Sequence, residues 1–308
     1  MKKFIGSVLA TTLILGGCST MENESKKDTK TETKSVPEEM EASKYVGQGF
    51  QPPAEKDAIE FAKKHKDKIA KRGEQFFMDN FGLKVKATNV VGSGKGVEVF
   101  VHCDDHDIVF NASIPFDKSI IDSDSSLRSE DKGDDMSTLV GTVLSGFEYR
   151  AQKEKYDKVY KFFKDNEEKY QYTGFTKEAI NKTQNSGYEN EYFYISTIPY
   201  NLTEYRNYFE PLLNKSNSEF SKEMSNVKKQ LKDKSKVSVT TTLFSKNKNY
   251  TKKSNSENVI KMAEEIKKEK DLPTDIDFSI QFSDNKINTI KPNYSSKDNS
   301  EYGVFDNE

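Results

Sequence analysis

The sequence predicts an α+β fold, with antiparallel β-sheet carrying helices packed on one face and a disordered N-terminal tether ahead of it. Three observations predict it. Val97, Val99 and Val101 alternate with Glu98, Phe100 and His102, and Ile276, Phe278, Ile280 and Phe282 alternate with Asp277, Ser279 and Gln281, as strands with one buried face do. Phe220, Met224, Val227 and Leu231 recur at helical spacing. Residues 19–51 mix lysine with Glu, Ser and Thr and hold almost no aliphatic side chains, too little apolar surface to offset chain entropy.

The N-terminus has the three zones of an export signal. Lys2 and Lys3 supply positive charge, and residues 4–15 form an apolar run that is too short to span a bilayer core. Leu15-Gly16-Gly17-Cys18 follows and resembles the bacterial lipobox. The thiol of Cys18 is the nucleophile such processing needs for a diacylglyceryl thioether, and small Gly16 and Gly17 admit a protease to the preceding bond. The reading is therefore a signal peptide over 1–17, then a lipidated Cys18 and tether over 18–53, closed by Pro52-Pro53. A flexible chain of that length reaches on the order of 30 Å. Each buried methylene contributes about 0.8 kcal/mol, so a diacylglyceryl cysteine with palmitate-like chains holds far better than a single chain.

Residues 54–117 read as a small α+β unit. Ala58, Phe61, Ala62, Ile69, Phe76 and Phe77 mark a helix that Gly82 stops, and strands follow over 83–91, 97–102 and 108–114. Residues 118–135 are acidic and serine-rich without periodicity, an expected linker. A second α+β unit spans 136–292. It opens on a helix over 136–163, has a short aromatic strand over 191–197, and returns to helix where Pro211 begins a segment. A strand over 237–244 precedes a helix capped by Ser254 and Glu257, and the 276–282 strand turns at Asp284-Asn285-Lys286. Residues 293–308 are polar and expected to be disordered.

Composition narrows the function classes. The formal net charge is −2, and loss of Lys2 and Lys3 would take it to −4; neither value makes an electrostatic case for nucleic-acid binding. Cys18 and Cys103 are the two cysteines. With Cys18 lipidated, Cys103 has no partner within the chain, so no disulfide framework is expected.

Lys2-Lys3, Leu15-Gly16-Gly17-Cys18, the Lys/Glu tether and the Tyr-Val-Gly-Gln-Gly-Phe run at 45–50 together make the chain similar, over most of its length, to a family of staphylococcal lipoproteins grouped under a domain of unknown function. The resemblance implies an extracytoplasmic, membrane-anchored location and lipidation at Cys18. It implies no catalytic residue, substrate or cofactor.

Several candidate sites are weighed on their residues. Gly92-Ser93-Gly94-Lys95-Gly96 lacks the Ser or Thr and the following helix of a phosphate loop, and reads as a hairpin turn. His102, Cys103 and His106 are weak metal-ligand candidates, because metal sites require convergence and this segment should turn between strands. His65 falls near the apolar helical stripe and reads as a packed edge residue. Asp122, Asp124 and Ser126 mimic the start of a calcium loop without its glycine and glutamate in register. The aromatic stretch from Tyr188 to Phe209 suits half-buried packing, and its candidate binding surface is Tyr192, Tyr194, Tyr205 and Arg206. No catalytic set and no cofactor motif rises above background.

The functional expectation is a lipid-anchored extracytoplasmic protein at the cell membrane, acting as a non-enzymatic binding or interaction module for a protein, peptide or glycan. The alternatives are a cell-envelope enzyme with an unrecognised site and an accessory lipoprotein of an envelope complex. Cys18→Ala should abolish incorporation of a clickable fatty acid and leave unprocessed or shed protein. Persistent label on the mutant refutes the anchor.

Overall fold

A computed structural model describes residues 36–130, 136–231, 237–248, 252–292 and 299–305. Cys18 and the expected signal peptide over 1–17 lie outside the described residues. The class is the α+β one expected, with antiparallel strand pairs and packed helices. Among the described residues no helix is long and apolar enough to cross a membrane.

Order begins earlier than the tether reading placed it. Strand β1 (Glu39–Glu41) precedes a turn that buries Tyr45 completely, and the Tyr45 hydroxyl donates to the carbonyl of Thr289 at 3.1 Å. Tyr45 packs with Phe175, Phe244 and Ile287 in a small core of its own. A segment short of aliphatic residues folds here because one aromatic side chain finds a socket built from distant sequence.

Helices α1 (Lys56–Lys64) and α2 (Lys66–Phe81) replace the single expected helix, with the break at His65, whose ring packs 4.4 Å from that of Phe61. Gly82 ends α2 in the left-handed conformation at φ 66°, its N–H bonded to the Met78 carbonyl. Strands β2 (Val85–Ser93), β3 (Gly96–Cys103) and β4 (Phe110–Phe116) form an antiparallel meander with β3 central. The 92–96 glycines make its first hairpin, Ser93 pairing with Gly96 around Gly94 and Lys95. Val97, Val99, Val101 and Cys103 are fully buried in the core they share with α2.

The acidic segment is a strap as far as residue 130, and 131–135 lie outside the described residues. After a short 3₁₀ turn, Lys118–Asp122, the chain is held to α2 by side chains. Asp79 accepts from the N–H of Leu127 and the hydroxyl of Ser126. Asn80 donates to the Leu127 carbonyl and accepts from Ser129 N–H. Arg72 donates to the Ser125 carbonyl. Polar side chains satisfy an extended backbone, which leaves no hydrophobic period to read.

The expected 136–163 helix divides at Gln152 into α3 (Ser137–Ala151) and α4 (Lys153–Asp165). Nearly every side chain from Val140 to Arg150 is buried. Val140, Val143, Leu144 and Phe147 belong to the core of the three-stranded sheet, and Tyr149 to the second core. Beyond α4 come α5 (Glu167–Tyr170), β5 (Tyr172–Thr173), α6 (Lys177–Thr183) and β6 (Phe193–Ser196). The capped turn α7 (Leu202–Glu204) leads through a π-helical turn, Tyr205–Phe209, towards α8 (Asn217–Gln230).

The second sheet is built on β7 (Val237–Thr241) and β8 (Leu243–Ser245), one line of chain interrupted at Thr242. β6 and β5 pair with it antiparallel on one side. On the other lies β9 (Ile276–Ser283), parallel to both because α9 (Lys252–Ile266) carries the chain back before β9 begins. β10 (Lys286–Asn288) pairs with β1. β11 (Ser300–Phe305) pairs antiparallel with β9, so the tail expected to be disordered over 293–308 contributes a strand, while 293–298 and 306–308 lie outside the described residues.

Two glycines let the α6–β6 loop close on its neighbours. Gly187 has φ 111°, and a Cβ there would stand 2.2 Å from Ser145 Oγ on α3. Gly174 passes so near the Glu191 carbonyl that a Cβ would overlap it at 1.8 Å. Gly187→Ala should destabilise the chain by roughly 3 kcal/mol, through left-handed strain and overpacking combined. Urea unfolding of the full chain checks this, and a shift in midpoint indistinguishable from zero refutes it.

Candidate functional site

A half-open cleft of about 360 Å³ lies between the outer face of the three-stranded sheet, α4, α6 and the α6–β6 loop. That size suits a small organic ligand. Each wall has a local cause. On β3, Cys103 turns into the core, so alternation turns His102 outward, where its Nδ1 lies 3.1 Å from Asn111 Oδ1 on β4. The Asn111 backbone bonds in both directions with Gly187, at 2.7 and 3.0 Å, which ties the α6–β6 loop to the sheet. Ser145 Oγ on α3 accepts from Tyr188 N–H at 2.6 Å and fixes where that tyrosine begins.

Helix α6 supplies Lys177, Ile180 and Asn181. It begins at Thr176, whose hydroxyl accepts from Ala179 N–H, and it ends against β2, where Thr88 and Asn89 donate to the carbonyls of Asn181 and Lys182. The far wall is aromatic. Tyr149 and Tyr188 stack with ring centroids 3.9 Å apart and planes 19° from parallel. Tyr160, one turn beyond Asp157 on α4, packs 5.3 Å from Tyr192.

Three carboxylates line the cleft: Asp157, Glu189 and Glu191. The Tyr149 hydroxyl donates to Asp157 at 2.8 Å, and Lys153 reaches Asp157 at 2.5 Å. Lys177 Nζ stands 3.7 Å from Glu191 Oε1. Glu191 Oε2 is buried and accepts no hydrogen bond. Burial, with the Asp157 carboxylate beside it, pushes the Tyr149 hydroxyl well above its usual range, and Tyr188 and Tyr160 move the same way, first from burial. The three hydroxyls stay protonated and can donate. Of the lining amides, Asn190 donates to Tyr188 Oη at 3.3 Å and accepts from the N–H groups of Tyr192 and Phe193.

The residues singled out from sequence fall mostly elsewhere. Tyr205 is fully buried and donates to the Phe81 carbonyl at 2.7 Å. Tyr192 is buried and donates to Glu167 at 2.8 Å. Tyr194 is half-buried on β6, opposite Thr240. Arg206 donates to the Ser129 carbonyl and Asn80, as part of the clamp on the strap. The four therefore do not form one surface. Asp122 pairs with Lys68 at 3.1 Å, and Ser126 bonds Asp79.

His102, Cys103 and His106 do not converge. Cys103 is buried with its thiol 3.6 Å from the Lys84 carbonyl, while His106 sits in a left-handed turn at φ 53° beside Asp105. Among the described residues no group of three or more His, Cys, Asp or Glu side chains could hold a metal ion. Of the cleft, the aromatic reading reached Tyr188 but not Tyr149, Tyr160, Asp157 or Lys177. No motif marks those four in the sequence, and only the fold brings the α6–β6 loop against them.

The fold and cleft define an α+β protein with an acidic, tyrosine-walled pocket. A family model described as a protein of unknown function, DUF1672, matches residues 32–308, and the chain belongs to that family. A crystal structure of a DUF1672 family protein from Staphylococcus aureus subsp. aureus Mu50 is similar at 69% identity and TM-score 0.87, over 89% of this chain and 100% of that one. Comparison with curated proteins returns no match.

Burial, the largest influence, pushes the Cys103 thiol up to about 12. Cys103 should therefore resist iodoacetamide at pH 8 in the folded chain and react once urea unfolds it. Rapid native alkylation, read by intact mass, contradicts this placement.

Proposed function

We propose that this protein is a lipid-anchored extracytoplasmic lipoprotein whose body binds a small polar molecule without transforming it. The anchor rests on the order of Lys2-Lys3, a short apolar run, and Leu15-Gly16-Gly17-Cys18. The binding reading rests on one observation above the others: a half-open cleft of about 360 Å³ in which tyrosine walls and polar groups converge. Apolar ring surface supplies contact area, while the carboxylates and Asn181 supply direction.

The test is retention of ligand. Full chain solubilised in detergent is incubated with a small-molecule extract of the producing cell, separated on a desalting column, and the retained compounds are identified by mass spectrometry. Asn181→Trp, which places an indole in the cleft, serves as the comparison. Compounds held by the wild type and lost from the variant support the reading. Equal retention by both removes the cleft as the binding site.

A further inference from the structure

We propose that residues 36–49 form a releasable clasp: the segment opens about a hinge at Gly47 and Gly49 while both large cores stay folded, and its opening loosens α6, one wall of the cleft. This rests on the reading of the cleft as a binding site and names how that site is controlled.

The clasp is held by little. Within residues 36–50 the buried side chains are Ala42 and Tyr45. They join Phe175, Ala179, Ile180, Phe244 and Ile287 in a core far smaller than those of the two sheets. The β1–β10 ladder is three residue pairs long, with flanking bonds to Asn285 and Thr289. Glu39 and Glu41 pair with Lys286 and Lys248 at 3.1 and 3.4 Å, surface contacts that contribute little. Segments with so few buried apolar groups open at lower free energy than the cores they cover.

The chain beyond the clasp is fixed. Phe50 packs edge-on against Phe100 at 5.3 Å, Gln51 donates to the Gly92 carbonyl at 2.8 Å, and Glu55 N–H donates to the Gly94 carbonyl at 2.8 Å. Between that anchor and Tyr45, Gly47 and Gly49 occupy the left-handed region at φ 85° and 78°. Glycine enters and leaves that region without a side-chain penalty, as a hinge requires. Load applied to the chain at Val36 meets β1 and Tyr45 first.

What the clasp holds is α6. The Thr176 hydroxyl caps that helix by accepting from Ala179 N–H, and it is oriented for the task by donating to the Tyr45 carbonyl at 2.6 Å. Towards the other end of α6, Lys182 Nζ donates to the Val46 carbonyl at 3.2 Å. Ile180 belongs to the Tyr45 core and also lines the cleft. A helix of seven residues does not persist by itself, so α6 depends on its surroundings. Release of the clasp removes the partner that orients its cap and uncovers Ile180, so Lys177, Ile180 and Asn181 lose their fixed place in the wall. By linkage, a molecule bound against α6 holds the clasp shut.

Hydrogen exchange of the detergent-solubilised full chain, without ligand and across a urea series, tests this by mass spectrometry. In the wild type, the amides of 39–45 and 180–184 should share one opening free energy, below that of α3 and β9. Tyr45→Ala should speed exchange of α6 at least about tenfold, since a buried ring is removed, and leave α3 and β9 unchanged. Tyr45→Phe, which keeps the ring and loses the bond to Thr289, should speed it a few-fold. Exchange of α6 that follows α3 in the wild type overturns the proposal. So does α6 exchange unchanged by Tyr45→Ala, or α6 and α3 accelerated alike in either variant. Because exchange is read without ligand, these outcomes stand apart from retention in the extract experiment, which tests the cleft as a binding site.

Discussion

The structure turns on the all-round burial of α3. Val140, Val143, Leu144 and Phe147 fill the core under the three-stranded sheet, and two residues past Phe147 the same helix places Tyr149 in the core of the mixed sheet. A helix shared by two cores has no solvent face on which to leave polar groups, so every one must be satisfied inside. Arg150 does this for a neighbour, donating to the carbonyls of Leu213 and Lys215 and to Asn217 while lying 4.1 Å over the Phe220 ring. Glu148 accepts from Lys228, Tyr156 and Gln152. These contacts pin α8, α4 and the turn at Leu213–Lys215 ahead of α8 to one axis. Removing one member would strand a buried charge, which costs more than the bond contributes.

The cleft follows from that constraint. Because α3 is fixed, Ser145 stands where it can accept from Tyr188 N–H, and Tyr149 stands where Tyr188 can stack on it. Asn111 then closes the loop onto β4. The carboxylates are carried in by backbone geometry, with Gly174 lying against the Glu191 carbonyl and Phe175 N–H bonded to it at 3.0 Å. The backbone at Glu191 is thereby fixed against the turn that leads into α6.

Misreadings of the sequence share a cause. The strap over α2, the turn that buries Tyr45 and the strand β11 all lie in polar segments without period. Each is ordered by partners from far along the chain: Asp79 and Asn80 for the strap, Phe244 and Ile287 for Tyr45, β9 for β11. Local composition records none of those partners. The helix breaks at His65 and Gln152 were equally silent, because an apolar stripe can continue in phase across a kink.

The sequence by itself determined the α+β class, the 92–96 hairpin, the valine face of β3 and the alternation of β9, since periodicity and turn chemistry are local and leave a local record. It also supplied the lipobox pattern that carries the anchor proposal. The tertiary structure alone decided that β7 and β9 run parallel, that α3 serves two cores, and that Tyr149, Asp157, Lys177, Tyr188 and Glu191 surround one cleft. Convergence of residues from four segments depends on loop closure and shared burial, and neither has a period along the chain.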